Sequence, residues 1–127
     1  MSFCTAISCI DGRVHLPLIS FMQERFGVQY VDLVTEPGVV AVLSAEPDSE
    51  RSAFIFSKVD VSVTKHEPKA IAVVAHDDCA GNPISESDQM RQLTESIRQL
   101  KARYPDQKIV ALWIDRDWAV HEVRVPD

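Results

Sequence analysis

Six consecutive apolar residues, Ala70 to Ala75 (AIAVVA), sit between polar segments. A strand with one wet face alternates apolar and polar residues. A short unbroken run bounded by polar residues is a strand covered on both faces, as in a parallel sheet flanked by helices. The rest of the chain supplies the partners. Phe3 to Ser8, Val28 to Val34 and Lys108 to Ile114 read as further parallel strands. Gly12 suggests a turn after the first of them. Leu16 to Phe26 reads as a helix, with Leu18, Met22 and Phe26 on one face and Gly27 as its stop. Ser49 to Lys65 reads as a second helix, although the alternation at Val59, Val61 and Val63 leaves a strand open there. Glu86 to Arg103 is the clearest helix: Met90, Leu93, Ile97 and Leu100 share a face, Ser85 or Ser87 caps it and Pro105 follows it. Trp118 to Val125 reads as an antiparallel edge strand. The order of elements predicts an α/β fold of about four parallel strands plus an antiparallel edge strand, with helices on both faces.

The 127 residues fit one domain spanning the whole chain, 1–127, and no internal repeat or linker divides it. Net charge is −6, from 13 Lys and Arg against 19 Asp and Glu, and no basic cluster interrupts it. That balance argues against nucleic acid or an anionic membrane as the main partner and favours a small-molecule site or a protein partner. No apolar run approaches the roughly 18 residues of a membrane helix. Three cysteines, Cys4, Cys9 and Cys79, are too few and odd for a disulfide framework. With no signal read at Met1-Ser2-Phe3-Cys4, the expected compartment is the cytoplasm.

In sheets of this type ligands bind outside the carboxyl ends of the strands, where strand order reverses. Cys9, Asp11 and Arg13 follow the first strand. His76 and Cys79 follow the apolar run. If the two strands are neighbours, these groups share one rim. Two thiolates and one imidazole, Cys9, Cys79 and His76, match a Zn²⁺ site with three protein ligands and a fourth position for water, carboxylate or substrate. Soft thiolates select zinc over Mg²⁺, Ca²⁺ or Mn²⁺. The competing reading makes Cys9 and Cys79 small buried hydrophobes and His76 a hydrogen-bonded loop histidine. A redox pair between the two cysteines is a further alternative, which leaves His76, Asp11 and Arg13 without roles. Asp11 and Arg13 are spaced to form an ion pair, either an ordinary turn salt bridge or a carboxylate held ionised beside a metal. His15 reads as a surface or helix-start histidine, with proton shuttling as the alternative. Cys4 reads as core packing, and His66 and His121 as solvent-facing. Trp113 and Trp118 read as core or interface residues.

Cys9-Ile10-Asp11-Gly12-Arg13 together with His76-x-x-Cys79-Ala80-Gly81 resembles the β-class carbonic anhydrases, which carry a Cys-x-Asp-x-Arg motif and a later His-x-x-Cys motif. The similarity extends over most of the chain, to the segment Ser52 to Ala75 and the terminal hairpin Ile109 to Val125. The resemblance implies that Cys9, His76 and Cys79 bind Zn²⁺ and that Asp11 and Arg13 form a catalytic dyad. It implies reversible hydration of carbon dioxide to bicarbonate by a zinc-bound hydroxide that the dyad orients. It also implies a homodimer or higher homo-oligomer. Two alternatives stand beside it: a zinc hydrolase of another small molecule such as carbonyl sulfide or carbon disulfide, and a non-catalytic zinc-binding or regulatory module with Asp11 as fourth ligand. Departures from the family pattern are a first strand that starts at Phe3 with no helical arm before it, Thr35-Glu36-Pro37-Gly38 in place of an Asn-rich turn, and Asp77 and Asp78 inside the His-x-x-Cys loop. These two carboxylates are expected either to hydrogen-bond the ligands or to repel bicarbonate.

Overall fold

The structure, a computed structural model, describes residues 1–126. It contains β1 (Phe3–Ser8), α1 (Gly12–Phe26), β2 (Tyr30–Thr35), α2 (Val39–Ala45), α3 (Glu50–His66), β3 (Ile71–His76), α4 (Glu86–Arg103), β4 (Ile109–Ile114) and β5 (Val120–Val123). The strands form one sheet in the order β2-β1-β3-β4-β5. The first four are parallel and β5 runs antiparallel to β4. The α/β architecture expected from the sequence is the one observed.

The unbroken apolar run has the expected cause. All six residues of β3 are buried. Ala72 and Val74 face a core with Val14, Leu18 and Met22 of α1, while Ile71, Val73 and Ala75 face a second core with α2, α3 and α4. β4 divides the same way, with Leu112 and Ile114 on the α1 side and Ala111 and Trp113 on the other. One helix therefore covers one face, and three cover the other.

Local chemistry moves several boundaries. α1 starts at Gly12, four residues before the expected Leu16, because the Asp11 side chain accepts the Arg13 backbone N–H at 2.9 Å and caps the helix. Pro17 lies inside α1, close to the start of the helix. Gly27 ends the helix in the left-handed region, as expected. β3 includes His76, so this residue is the last of the strand rather than the first after it. α2 is an element the sequence reading did not contain. Its run Val39-Val40-Ala41-Val42-Leu43 hides the helical period, because four of these five side chains are buried. Within α3 the alternating stretch is helical: Val59 is buried and Val61 is 60% exposed. Ser49 caps α3 and Ser85 caps α4, each through its side-chain oxygen. β5 is shorter than the expected 118–125, because Trp118 belongs to the turn that precedes it.

A polar ladder ties α3 to the sheet. Thr5 of β1 donates to the Ser62 hydroxyl at 2.6 Å, and Ser62 donates to Asp32 of β2 at 2.7 Å. His66, expected to face solvent, is exposed but bonds the same Asp32 oxygen at 2.6 Å and stacks on Phe3. Cys4 is core, as expected, and burial raises its thiol to about 11, with the Asp32 charge adding to the effect. No helix among the described residues is long and apolar enough to cross a membrane.

The helical reading of α3 and the packing of α4 have measurable consequences. Leu100→Ala, at a fully buried position, is expected to cost about 2–5 kcal/mol. Val61→Ala is expected to stay within about 0.5 kcal/mol of the parent. Urea denaturation of both variants checks this, and a large loss at Val61 would contradict the helical assignment.

Candidate metal centre

β1 pairs with β2 along its whole length but with β3 only from Thr5 to Ile7, while β3 continues beside β4 to His76. The chain leaves β1 toward α1 on one face and leaves β3 toward α4 on the other. The crevice between their carboxyl ends is the point where strand order reverses. Cys9 enters it directly after β1, His76 closes β3, and Cys79 lies in the loop before α4.

These three side chains converge. Their ligand atoms all lie within 4.8 Å of one another, and all three residues are buried. The Cys9 and Cys79 sulfurs are 3.9 Å apart and unbonded. A disulfide needs about 2.05 Å. Two thiolates on one tetrahedral zinc, each about 2.3 Å from the metal, stand about 3.8 Å apart. His76 Nδ1 donates to the Asp77 carbonyl at 2.7 Å. With Nδ1 committed to that carbonyl, Nε2 is the nitrogen left to face a metal, and it is buried without a hydrogen-bond partner. An orphaned imidazole nitrogen beside two sulfurs costs free energy unless something binds there. The donor set and its spacing fit zinc.

The two sulfurs differ in how well their surroundings tolerate negative charge. Cys9 lies well below the ordinary thiol range. The hydrogen bond from Cys79 is the largest cause, burial opposes it, and His76 and the backbone N–H groups of Gly38 and Asp11 add to it. Cys79 is pushed up by that same shared bond and by burial, while the N–H groups of Gly81 and Asn82 act against the rise. For His76, burial favours the neutral ring, but Cys9 and the Asp77 carbonyl outweigh it and raise its value.

Two glycines bring these donors in. Gly38 has φ 58°, and a Cβ there would stand 2.6 Å from the Gly81 carbonyl oxygen. A Cβ on Gly81 would stand 2.9 Å from the Gly38 nitrogen. The β2–α2 turn and the Cys79 loop thus pack backbone to backbone, at a distance only glycine allows. Gln89 of α4 completes the support by donating to the His76 carbonyl at 2.9 Å. Neither Gly38 nor Gln89 was singled out in the sequence reading. The Glu36-Pro37-Gly38 turn was the available signal for the first; nothing local marks the second.

Asp11 and Arg13 form the expected pair. Arg13 Nη2 lies 2.6 Å from Asp11 Oδ2 and Nε lies 3.0 Å from Oδ1. Arg13 is the main reason that the Asp11 carboxyl falls to about 2, against the opposing effect of burial. The Asp11 side chain is 18% exposed and lies outside the three-atom cluster. Asp77 serves His76 through its carbonyl rather than its carboxylate. Asp78 sends its carboxylate to Arg13, at 3.2 Å. Neither acidic side chain bonds the Cys–His–Cys set itself. His15 is half-buried on α1 with Nδ1 unpartnered. Trp113 is core, and Trp118 is partly buried against the α1-side core. His121 is exposed and bonds Asp115 at 2.7 Å.

Gly38→Ala is expected to cost about 1–3 kcal/mol by overpacking. It should also move the Cys9 thiolate transition to higher pH, because the Gly38 N–H that favours the thiolate is displaced. The pH dependence of cysteine alkylation in metal-free protein measures this. An unchanged profile would show that the glycine contact does not set thiolate character.

The family model described as "Putative carbonic anhydrase" matches residues 1–124. No curated protein matches the chain in sequence. Among solved structures, the β-carbonic anhydrase CafA of the fungal pathogen Aspergillus fumigatus superposes with a TM-score of 0.64 at 12% identity, covering 98% of this chain and 76% of that one. A structure from a study of two tetrameric β-carbonic anhydrases of the filamentous ascomycete Sordaria macrospora gives a TM-score of 0.59 at 11% identity, covering 94% and 79% respectively. With this fold and a family match over nearly its full length, the chain belongs to the carbonic anhydrase family and has the β-carbonic anhydrase fold.

Proposed function

We propose that this protein catalyses the reversible hydration of carbon dioxide to bicarbonate at a zinc ion held by Cys9, His76 and Cys79. The observation that carries the reading is the convergence of two buried sulfurs and an unpartnered imidazole nitrogen beside an ionised Asp–Arg pair. The chemistry zinc supplies in such a site is Lewis-acid activation of water near neutral pH.

The chain's residues divide the remaining work. Cys9 and Cys79 would offset the metal's charge. His76 would present Nε2 in an orientation set by the Asp77 carbonyl. Asp11, ionised at neutral pH, is an acceptor only. Arg13 occupies the carboxylate's outer edge through Nε and Nη2. The lone pairs left over can take a hydrogen bond from a proton-bearing group in the crevice and orient it. This favours an open site over a closed one with Asp11 as fourth ligand, because the Asp11 oxygens are engaged by Arg13 and stand outside the donor cluster.

The expected stoichiometry is about one zinc per chain. Cys9→Ser and His76→Ala should lose zinc and carbon dioxide hydration together. Asp11→Ala should keep zinc and lose about 10²-fold or more in kcat. Elemental analysis and stopped-flow hydration assays check these outcomes, and a zinc-free Cys9→Ser protein that remained active would overturn the reading. Carbonyl sulfide and carbon disulfide belong in the same assay; turnover of either in place of carbon dioxide would reassign the substrate.

The reading extends to one cytoplasmic domain that assembles as a homo-oligomer. The tetramers named for the Sordaria macrospora proteins support assembly. Light scattering should give a mass at least twice the 14.2 kDa of one chain. A monomer at all concentrations would remove this part.

A further inference from the structure

We propose that Trp118 and Asp78 are positioning residues that clamp the Arg13 guanidinium and thereby hold Asp11 in one orientation toward the cysteine–histidine cluster. The inference rests on the functional reading above for its catalytic consequence, but not for its geometry.

Arg13 needs such a clamp. Its side chain is 49% exposed in the first turn of α1. An exposed arginine–carboxylate pair by itself orders a long, rotamer-rich side chain weakly. Here every guanidinium nitrogen is engaged. Nε and Nη2 hold Asp11, Nη1 donates to the Asp78 carboxylate at 3.2 Å, and Nη2 also donates to the Asp78 carbonyl at 3.2 Å. The Trp118 ring covers the guanidinium, with Cζ 4.7 Å from the ring centroid. The three residues line one open depression of about 520 Å³ together with Asp77 and Arg116.

The backbone shows that this arrangement is built at a cost. Among the described residues three non-glycines have positive φ: Glu67, Asp78 and Trp118. Two of the three meet on the same guanidinium. Asp78 has φ 55° and Trp118 has φ 64°. A bulky aromatic residue rarely adopts that conformation, and it persists only where its surroundings over-determine it. Asp115 does so here. Its Oδ1 accepts the N–H groups of Asp117 and Ala119, its carbonyl accepts that of Trp118, and its Oδ2 is tied to His121. The turn between β4 and β5 is thus locked in the shape that aims Trp118 at Arg13. A turn meant only to join two antiparallel strands has no need of an aromatic residue in the left-handed region.

The test uses the full-length chain. In ¹H–¹⁵N spectra, the Arg13 Nε–H signal is identified by its loss in R13K. The expected wild-type signal is displaced by the Trp118 ring current and exchanges slowly. W118L keeps apolar bulk against the α1-side core but has no ring. It should send the Arg13 signal to the position of freely exposed arginines, and W118F should keep it displaced. D78N should leave the ring-current displacement and speed the exchange. In zinc-loaded protein W118L should lower kcat roughly tenfold, with zinc content unchanged and KM within about twofold, and W118F should restore most of kcat. An Arg13 signal unmoved in W118L would overturn the clamp, whatever the activity. A moved signal with kcat unchanged in an active enzyme would overturn its positioning role. A wild-type protein that binds zinc but hydrates no carbon dioxide would instead overturn the functional reading and the catalytic consequence together, and the Arg13 signal would still decide the clamp.

Discussion

The short pairing between β1 and β3 is the constraint on which the site depends. The two strands share a register only from Thr5↔Ile71 to Ile7↔Val73. Beyond it, Ser8 continues beside Thr35 of β2, and His76 continues beside Ile114 of β4. The strands part because each has a second neighbour that it follows further. Residues at their ends are therefore close enough to share a ligand, yet are not filled in by another strand. A sheet in sequential order would put β2 between Cys9 and His76, about 10 Å apart at the usual strand spacing, and no single metal could span them.

Negative sulfur in a buried crevice is expensive unless it is solvated by something. Metal is one solution, and backbone N–H groups are another that is already in place. Cys9 receives donors from the Gly38 turn and the start of α1, and Cys79 from the loop that carries it. The same Asp11 residue caps α1 with its side chain and donates its N–H to Cys9. One residue thus fixes where the helix starts, which way Arg13 points and how well the first thiolate is tolerated. The Gly38–Gly81 contact brings the two sets of donors together. The glycines act through what they lack, since any Cβ would separate the turn from the ligand loop.

How much of this was legible in the sequence follows from the range of each interaction. The apolar run at Ala70 to Ala75 reported burial on both faces, and α4 showed its face through Leu93, Ile97 and Leu100, because each pattern reflects one strong and persistent environment. α1 starts earlier than the sequence suggests because Gly12 reads as a turn, whereas the cap on Asp11 begins the helix there. α2 was invisible because burial of nearly all its side chains erases periodicity. The Cys9, His76, Cys79, Asp11 and Arg13 set was legible once the two strands were taken as neighbours. The residues that hold the set were not. Gly38, Gln89 and Trp118 reach it from other elements, across 13 positions for Gln89 to His76 and much further for Trp118 to Arg13, and no local motif spacing records such contacts.

The acidic residues in the ligand loop acquire a different meaning once placed in space. Read from the sequence, Asp77 and Asp78 are expected either to hydrogen-bond the ligands or to repel bicarbonate. In the structure Asp78 pairs with Arg13, which also holds Asp11, and Asp77, Arg116 and Trp118 line one depression with Arg13 and Asp78. The loop thus presents two carboxylates against two guanidiniums rather than an uncompensated acidic face. A guanidinium shared between Asp11 and Asp78 ties the start of α1 to the loop that carries Cys79, so that one side chain fixes both.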